Sequence, residues 1–445
     1  MKVVFLAGGI GKRMFPLIED KFLFKFLGKP LLLHQLETAE KAGLKDFIII
    51  GNPLNIEKIK SILSETKFNV ELAIQKEPKG MADALLSAEK LIGDEEIIVV
   101  NPNDVFDFNG YEEILKEYKK SSFDSYILGY KVKEYFPGGY LITDEEGNLK
   151  GIIEKPGKGN EPSDMVNIVV HLHTKTKDFF NYLKNTKSEK DDIYEISMQK
   201  MIKDGFKFKV VPYSGFWKAI KYPWNIFDIV KYFLDKLEKT IISEKAKVSE
   251  KAIIKGKVYI DDNAKVFENA IINGPCYIGK NAIIGNNCLV RDYSHIGNNS
   301  VIGFSTEITR SYIGDNCWFH SSYVGDSIIF DSCSFAAGTI TANLRFDEKE
   351  IKVNVKGEKL STGYDKFGVI MGSNCKTGIN SCLMPGVKVG PNSIVGPNVV
   401  LNEDLEPNKI IFLKQNHKVL ENKIELDEDK KKELMERLRK HLNEK

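Results

Sequence analysis

The chain has 445 residues, of which 42% are hydrophobic and 28% are charged, and its formal net charge is +2. This composition is typical of a soluble globular protein, and the balanced charge argues against a nucleic-acid-binding surface. Because the length exceeds what one hydrophobic core usually serves, the sequence predicts two domains of ordinary size.

Neither export nor membrane insertion is predicted. The first residues, MKVVFLAGG, form a short apolar run that passes directly into glycines without a cleavage-site pattern. No run approaches the roughly 18 apolar residues of a membrane-spanning helix. The six cysteines lack the paired spacing of a metal site and are expected to be small core or surface residues of a reducing compartment. We therefore expect a cytoplasmic protein.

Residues 1–230 alternate strand-like and helix-like patterns. The apolar runs VVFLAG, DFIIIG, VELAIQ and EEIIVVN predict strands, and the segments near 30–43, 55–65, 81–92 and 111–119 predict helices. This alternation is typical of an α/β domain with a parallel sheet covered by helices. Ligands of such folds bind beyond the carboxyl ends of the strands.

The end of the first predicted strand carries the most informative local motif. It reads Leu6-Ala7-Gly8-Gly9-Ile10-Gly11-Lys12-Arg13-Met14-Phe15-Pro16-Leu17, and Lys21 and Gly28-Lys29-Pro30 follow it. Glycines directly after a buried strand let backbone N–H groups approach phosphate oxygens, and Arg13 can add a bidentate contact. The spacing matches neither the dinucleotide-binding fingerprint nor the Walker loop.

A helix is predicted from Trp224 to Lys239, and an aliphatic residue then returns at every sixth position. The eleven positions are Val248, Ile254, Ile260, Val266, Ile272, Ile278, Ile284, Val290, Ile296, Ile302 and Ile308. Neither a helix nor a half-buried strand has this period. A parallel β-helix does, because each hexapeptide supplies one short strand and one turn. Gly279, Gly285, Gly297 and Gly303 follow such positions, where a corner needs a small residue. The repeat predicts a left-handed β-helix with three hexapeptides per coil.

The period slips after Ile308 and is lost from Thr341 to about Phe367. The later aliphatic positions are Ile313, Phe319, Val324, Leu383, Val389, Val395 and Leu401. A polar insertion within a solenoid has to leave the coil as a loop, and such loops commonly carry sites. We predict an α/β domain over 1–230, a linker helix over 231–245, the β-helix over 246–412 and a helical tail over 413–445, its helix starting near Asp427.

The glycine motif resembles the signature of the sugar-1-phosphate nucleotidylyltransferases, Gly-Gly-x-Gly-x-Arg-x-x-Pro-Leu, then Lys, then Gly-Lys-Pro. Further residues of residues 1–230 agree in order: Gln75 with Gly80-Met81-Ala82, Asp104, Glu154-Lys155-Pro156, Asn167 and Glu195. The resemblance implies a Rossmann-like, GT-A-like fold in which Gly8, Gly9, Gly11, Gln75 and Gly80 bind the nucleotide. It implies that Glu154, Lys155, Asn167 and Glu195 bind the sugar, and that Asp104 binds Mg²⁺.

The reaction implied is attack by a sugar-1-phosphate oxygen on the α-phosphorus of a nucleoside triphosphate, with pyrophosphate leaving. Arg13 would hold the leaving phosphates, and Lys21 the α-phosphate or the sugar phosphate.

Three positions depart from the family pattern. A second metal carboxylate, expected in a Trp-x-Asp segment, is replaced in Trp217-Lys218-Ala219, and alanine cannot ligate a cation. The family's Pro-Lys is Asp20-Lys21, and a glycine near the sugar-site asparagine is Val169, which would narrow the pocket. Two alternatives stay open for this domain: an altered but active enzyme, or a nucleotidyltransferase fold retained as a scaffold.

The string from His320 to Asp326, with the segment Thr341-Ala342-Asn343-Leu344-Arg345-Phe346-Asp347, resembles an acetyltransferase domain. It is similar to the archaeal bifunctional enzymes that join such a domain to a sugar-1-phosphate nucleotidylyltransferase. By this resemblance the catalytic set is His320, Tyr323, Asn343 and Lys349. His320 would be the base, because an imidazole titrates near neutral pH. Lys349 and Arg310 would be cations that bind the sugar phosphate. Gly372, Ser373 and Thr377 would line the pantetheine groove.

The leading hypothesis is acetyl transfer from acetyl-CoA to glucosamine-1-phosphate, followed by nucleotidyl transfer from UTP or dTTP to give UDP-N-acetylglucosamine. Galactosamine-1-phosphate is an alternative acceptor. The resemblance also implies Mg²⁺ as cofactor and a homotrimer, or a dimer of trimers, with CoA between neighbours. Two other hypotheses remain: a nucleotidyltransferase whose solenoid only assembles the oligomer, and a regulatory subunit that binds ligands without turnover.

Overall fold

A computed structural model describes residues 1–9, 11 and 13–443 of the chain. The chain forms two compact units, Met1–Ile411 and the segment that begins at Phe412.

The apolar runs of the first part form a mixed sheet of nine strands in the described residues. Lys2–Leu6 is central, with Asp46–Gly51 and Ile97–Val100 parallel on its two sides. The central strands are parallel as expected, but Met165–His173 pairs antiparallel with Ile97–Val100, so the sheet is mixed. The other strands are Asn69–Ile74, Ser125–Lys131, Gly139–Thr143, Leu149–Glu154 and Phe208–Tyr213.

Helices cover both faces of this sheet, because side chains of successive strand residues point to opposite faces. Val3 and Phe5 pack in one apolar cluster, and Val4 packs in the other. The helices before residue 224 are Leu31–Lys41, Ile56–Ser64, Met81–Ser87, Glu89–Ile92, Asn109–Lys120, Thr176–Asn185 and Ile193–Lys203, with a 3-10 turn at Lys21–Leu23. The four predicted helices are confirmed, although the one near 81–92 consists of two pieces.

Two short ribbons lie beside the mixed sheet. Lys25–Phe26 pairs with Lys29–Pro30, and Asp104–Phe106 pairs antiparallel with Trp217–Ala219. Asp104, Trp217 and Ala219 of the second ribbon line one of the two cavities described below.

The helix after these ribbons spans Asn225–Asp235, so it is shorter than the prediction of 224–239. The predicted linker helix over 231–245 is wrong, since the first solenoid strand is already Ile241–Ile242. The helix also packs on the solenoid: Lys231 Nζ donates to Tyr293 Oη at 2.9 Å.

The described residues from 241 to 411 form three parallel sheets, and the chain passes from one to the next in order. The first solenoid sheet contains Ile241–Ile242, Val258–Ile260, Cys276–Ile278, Ser294–Ile296, Tyr312–Ile313, Ile328–Ile329, Ile370–Met371 and Lys388–Val389. The second contains Lys247–Val248, Lys265–Val266, Ile283–Ile284, Val301–Ile302, Trp318–Phe319, Ser334–Phe335, Lys376–Thr377, Ile394–Val395 and Ile410–Ile411. The third contains Ile253–Lys255, Ile271–Asn273, Leu289–Arg291, Glu307–Thr309, Tyr323–Gly325, Ile340–Thr341, Cys382–Leu383 and Val400–Leu401.

The strand register confirms three hexapeptides per coil. Val248 pairs with Val266, which pairs with Ile284, three hexapeptides further along in each step. A Cβ on Gly297 would lie 2.3 Å from the carbonyl oxygen of Gly314 on the next coil, so this corner requires glycine. The cysteines carry free thiols, and all but Cys382 are buried, as expected.

The coil resumes earlier than the aliphatic pattern indicated. Met371 and Thr377 already occupy ladder positions before Leu383, and Thr341 extends the ladder beyond Val324. Both threonines are buried and hydrogen-bonded: the backbone N–H of Gly325 donates to Thr341 Oγ1 at 2.9 Å. A search for aliphatic residues alone misses such positions.

The insertion loop, residues 342–369, leaves the solenoid as predicted. It contains an antiparallel hairpin of Lys352–Val355 and Glu358–Ser361. Its buried side chains join an apolar cluster shared by the first domain and the solenoid. In this cluster the rings of Phe24 and Phe330 lie 4.9 Å apart.

The second unit contains the helix Glu428–Asn443, near the predicted start at Asp427. The last two residues of that prediction lie outside the described residues. Among the described helices, none has the length and apolar character needed to cross a membrane.

Candidate active sites

Two adjoining cavities lie beyond the carboxyl ends of parallel strands of the mixed sheet, among them Lys2–Leu6 and Ile97–Val100. The glycine-loop cavity, of about 400 Å³, is lined by all five predicted nucleotide-binding residues, Gly8, Gly9, Gly11, Gln75 and Gly80. The carboxylate cavity, of about 520 Å³, is lined by the predicted residues Arg13, Lys21, Asp104, Glu154, Lys155, Asn167 and Glu195. Both cavities share Gly11 and Lys21, so they form one cleft.

Gln75 is fixed at the floor of the glycine-loop cavity. Its Nε2 donates to Gly80 O at 3.0 Å and to Asp83 Oδ2 at 2.9 Å. A Cβ on Gly8 would lie 2.2 Å from Gln75 Oε1, so a larger residue at position 8 would have to displace the Gln75 amide. The first glycine of the loop therefore packs closely against the side chain of Gln75.

Asp104 lies directly opposite Ala219 in the antiparallel ribbon. Asp104 is only 5% exposed, and burial raises the pKa of its carboxyl to about 6, although the ammonium groups of Lys221 and Lys21 oppose this shift. Burial conversely lowers the pKa of Lys221 to about 8, with Asp104 opposing. The register thus places the alanine substitution face to face with the predicted metal carboxylate.

The donor set around Asp104 is compatible with Mg²⁺. No cluster of three or more His, Cys, Asp or Glu suited to a metal occurs within the described residues. Mg²⁺, however, is commonly bound by one or two carboxylates together with water and substrate phosphates. Asp104, a buried carboxylate that lines a cavity large enough for such a ligand, meets that requirement.

Lys21 is held against the ribbon. Its Nζ donates to Ile220 O at 2.8 Å, and burial lowers its pKa while Asp104 opposes the shift. Lys21 and Asp104 therefore bring opposite charges to one wall of the cleft.

Asn167 is oriented by a buried chain of hydrogen bonds. Its Oδ1 lies 2.7 Å from His171 Nε2, and His171 Nδ1 lies 2.7 Å from Tyr194 Oη. Tyr194 Oη also lies 2.9 Å from His173 Nε2, and Ser125 Oγ lies 2.8 Å from His173 Nδ1. Burial lowers the pKa of His171 to about 3, so its ring is neutral and has one N–H. Because Asn167 Oδ1 can only accept, that N–H is on Nε2, and the Asn167 amide can donate to a ligand.

Glu195 has a strongly perturbed carboxyl group. Burial, together with the nearby carboxylates Glu154 and Asp191, raises its pKa to about 7. Asp191 lines both cavities and was not singled out from the sequence. Asp191 packs so closely on Gly80 that a Cβ on Gly80 would lie 1.8 Å from Asp191 Oδ1. No local sequence pattern reveals this packing, because the two residues are far apart in the chain.

On the solenoid, the buried carboxylate of Asp326 contacts two of the predicted residues, and one of these contacts a third. Asn343 Nδ2 donates to Asp326 Oδ2 at 2.5 Å and to Tyr323 Oη at 3.3 Å. Arg310 donates to both carboxylate oxygens of Asp326, at 2.6 Å and 2.9 Å. The Arg310 guanidinium, which was expected to bind a sugar phosphate, is thus paired with Asp326, and this contact raises the pKa of Arg310. Asp326 was part of the quoted motif, but its role depends on coil stacking and was missed.

His320 lies at the corner between the second and third solenoid sheets. It is exposed, and its ring stacks on Trp318 with centroids 5.9 Å apart. Tyr323 begins the next strand. Lys349 is exposed in the insertion loop, where its backbone N–H lies 3.4 Å from Asp347 Oδ1. The structure therefore brings Tyr323, Asn343 and Arg310 into one cluster, places His320 at the corner that precedes the strand of Tyr323, and places Lys349 on the loop.

The residues expected in a pantetheine groove are placed differently. Thr377 is buried inside the coil, where its Oγ1 lies 2.8 Å from Thr339 Oγ1. A Cβ on Gly372 would lie 2.8 Å from Pro16 O, so Gly372 faces the first domain. Ser373 follows it at the corner between the first and second solenoid sheets, not at the corner of His320. The groove prediction is corrected for Gly372 and Thr377, because neither offers an open surface.

These features define a nucleotide-binding α/β domain joined to a hexapeptide solenoid, and comparisons with known proteins agree. Residues 2–224 match the family "Nucleotidyl transferase", and residues 257–292, 275–310 and 368–403 match "Bacterial transferase hexapeptide (six repeats)". The hexapeptide match, with the three parallel sheets, confirms the predicted left-handed β-helix.

Relatives match nearly the whole chain. A bifunctional sugar-1-phosphate nucleotidylyltransferase/acetyltransferase of Sulfurisphaera tokodaii is 36% identical over 416 residues, which are 91% of this chain and 98% of the relative. The bifunctional protein GlmU of Methanocaldococcus jannaschii is 35% identical over 417 residues, covering 93% and 97%. A GlmU of Methanococcus maripaludis is 36% identical over 419 residues, covering 93% and 98%. The chain belongs to this family of bifunctional nucleotidylyltransferase/acetyltransferases, which confirms the resemblance seen in the sequence.

Proposed function

We propose that the protein acetylates glucosamine-1-phosphate with acetyl-CoA and then transfers a uridylyl group from UTP to the product, giving UDP-N-acetylglucosamine. The observation that carries the proposal is the assembly of both predicted residue sets in one chain. The proposal is supported by a cleft lined by Arg13, Lys21 and Asp104, and by the contact of Asn343 with Tyr323 on the strand that follows the corner of His320. We further propose a cytoplasmic homotrimer that binds CoA between neighbouring solenoids.

In the acetyl-transfer step, the sugar amine attacks the thioester carbonyl while His320 accepts the amine proton. The new N–C bond forms, the C–S bond breaks, and His320 returns the proton to the leaving thiolate of CoA. Asn343, which donates a hydrogen bond to Asp326, and Tyr323 would orient the sugar. Lys349 would bind the phosphate of the sugar.

In the nucleotidyl-transfer step, the phosphate oxygen of the acetylated sugar attacks the α-phosphorus of UTP, and pyrophosphate leaves. Arg13 and Lys21 would hold the phosphates, and Asn167 would donate to the sugar. Mg²⁺, held by Asp104 and substrate phosphates, would supply positive charge.

The test is a pair of assays on the purified chain. Release of CoA thiol is followed with acetyl-CoA and glucosamine-1-phosphate, and release of pyrophosphate with UTP, N-acetylglucosamine-1-phosphate and Mg²⁺. Both products are expected. Thiol alone would mean that the first domain is a scaffold, and pyrophosphate alone would mean that the solenoid is only structural. Nucleotide or CoA binding without turnover would favour a regulatory subunit.

The substitution Ala219→Asp is expected to raise the rate of nucleotidyl transfer about tenfold, because it places a second carboxylate directly opposite Asp104. Pyrophosphate release at saturating Mg²⁺ measures the effect. Ala219→Asn is the matched control, since it adds similar volume without charge. No gain for the aspartate variant, or an equal gain for both variants, would contradict the metal-site interpretation.

The KM for N-acetylglucosamine-1-phosphate is expected to fall about fivefold as pH rises from about 6 to about 8. With its pKa raised to about 7, the Glu195 carboxyl is mostly protonated at about pH 6 and mostly ionised at about pH 8, and in the ionised form both oxygens can accept hydrogen bonds from sugar hydroxyls. The substrate phosphate also titrates, near pH 6. Glu195→Gln separates the two, because only the substrate contribution should survive; an unchanged pH profile in this variant would exclude Glu195.

A further inference from the structure

The insertion loop of the solenoid reaches the carboxylate cavity of the first domain. Lys356 lines this cavity, whereas the other described lining residues all lie between Gly11 and Lys221. Lys356 is at the tip of the hairpin, in the two-residue turn that joins Val355 to Glu358. A residue from the second domain therefore contributes to a site that the motifs assign to the first.

The base of the hairpin is firmly packed. Ile351 and Val353 are 2% and 1% exposed, and they belong to the same apolar cluster as Trp224 and Ile226. Tyr364 Oη donates to Asp228 Oδ1 at 3.3 Å, on the helix Asn225–Asp235. These contacts fix the direction in which the turn extends.

The turn itself holds Lys356 in an unfavourable backbone conformation. Its φ is +53°, and φ of Gly357 is +89°. Two-residue hairpin turns of this kind favour Asn, Asp or Gly at the first position, because other side chains crowd the backbone there. Asn354 Oδ1 stabilises the turn by accepting from the Gly357 N–H at 2.9 Å. A lysine at a costly position, at the edge of a cavity, suggests that its side chain is used.

Within the described residues, the three other lysines of the cavity, unlike Lys356, are held by partners in the protein. Lys155 pairs with Glu154 at 2.8 Å, Lys21 donates to Ile220 O at 2.8 Å, and Lys221 donates to Pro137 O at 2.5 Å. Lys356 is exposed and adds a flexible ammonium at the cavity edge. Its charge suits a phosphate group more than the sugar hydroxyls or the base.

We propose that Lys356 is a phosphate-binding residue of the nucleotidyl-transfer site, supplied by the insertion loop of the solenoid. This inference rests on the proposed function of the first domain. The phosphate is that of the sugar-1-phosphate or that of the leaving pyrophosphate. The same loop carries Asn343 and Lys349, so one insertion serves both active sites.

The test compares Lys356→Ala, Lys356→Arg and the control Lys359→Ala in the full-length protein. Lys359 is an exposed lysine of the same hairpin that does not line the cavity. Alanine and arginine carry a Cβ as lysine does, so their steric cost at this positive φ is similar, and both variants should retain the turn. Lys356→Ala is expected to lower kcat/KM of nucleotidyl transfer five- to tenfold, Lys356→Arg to restore most of it, and Lys359→Ala to change it less than twofold. Acetyl transfer should stay within twofold in all three.

The two phosphate sources are distinguished by separate readouts. A raised KM for N-acetylglucosamine-1-phosphate assigns Lys356 to the sugar phosphate, and weaker inhibition by added pyrophosphate assigns it to the leaving group. Unchanged values for both, or an equal loss in Lys359→Ala, would overturn the inference.

Calorimetric binding of UDP-N-acetylglucosamine and of pyrophosphate keeps the two proposals separable. If the wild-type protein binds these probes without releasing pyrophosphate from UTP, the proposed activity fails, yet weaker binding in Lys356→Ala still supports the phosphate contact. If the wild-type protein binds neither probe, both proposals fail.

Discussion

Replacing His320 by alanine is expected to lower the rate of acetyl transfer by about 10²- to 10⁴-fold, the range typical of losing a general base. The amine must lose a proton as it attacks the thioester, and His320 is the imidazole at the corner that precedes Tyr323, which contacts Asn343. Because His320 is exposed at a corner, its removal leaves no internal cavity, and the fold should be retained. Thiol release from acetyl-CoA with glucosamine-1-phosphate measures the loss.

Two comparisons make this result specific. Nucleotidyl transfer by the same variant should be unchanged, and His417→Ala, which removes an exposed histidine of the second unit, should leave both activities intact. Thiol release at the wild-type rate in His320→Ala would refute the assigned base and would favour a purely structural solenoid.

Replacing Asp104 by asparagine is expected to lower nucleotidyl transfer about 100-fold or more and to raise the Mg²⁺ concentration required. The asparagine keeps the shape of the side chain but removes the charge. With Ala219 opposite, the ribbon has no second carboxylate at this register position to compensate. At pH 7 and above Asp104 is largely ionised, because its pKa is raised only to about 6.

The measurement for Asp104→Asn is pyrophosphate release as a function of Mg²⁺. Asp164→Asn is the control, because Asp164 is a carboxylate of the same domain that does not line either cavity. A wild-type rate with an unchanged Mg²⁺ dependence would show that Asp104 does not hold the metal.

Local patterns predicted much of this architecture. The six-residue period from Val248 to Ile308 predicted the solenoid, because each inward position repeats with the coil. The loss of that period located the insertion loop. The aliphatic period did not predict the inward positions Thr341 and Thr377, because hydrogen-bonded hydroxyls replace aliphatic groups there inside the coil.

Some residues of the candidate sites could likewise be predicted from the sequence, and others could be found only in the structure. Gln75, Asp104 and Asn167 could be singled out because each stands in a short motif. Asp326, Asp191 and Lys356 could not, because their neighbours in space lie far away in the chain. The significance of Ala219 also needed the structure, since only the ribbon register places it opposite Asp104.

The most direct test of the account is mass spectrometry of the nucleotide sugar formed in one reaction. The mixture contains the purified protein, glucosamine-1-phosphate, acetyl-CoA, UTP and Mg²⁺. The account predicts UDP-N-acetylglucosamine, and its formation should cease when acetyl-CoA or UTP is omitted. Accumulation of N-acetylglucosamine-1-phosphate alone, or of a nucleotide sugar without the acetyl group, would contradict a protein in which both sites act in sequence.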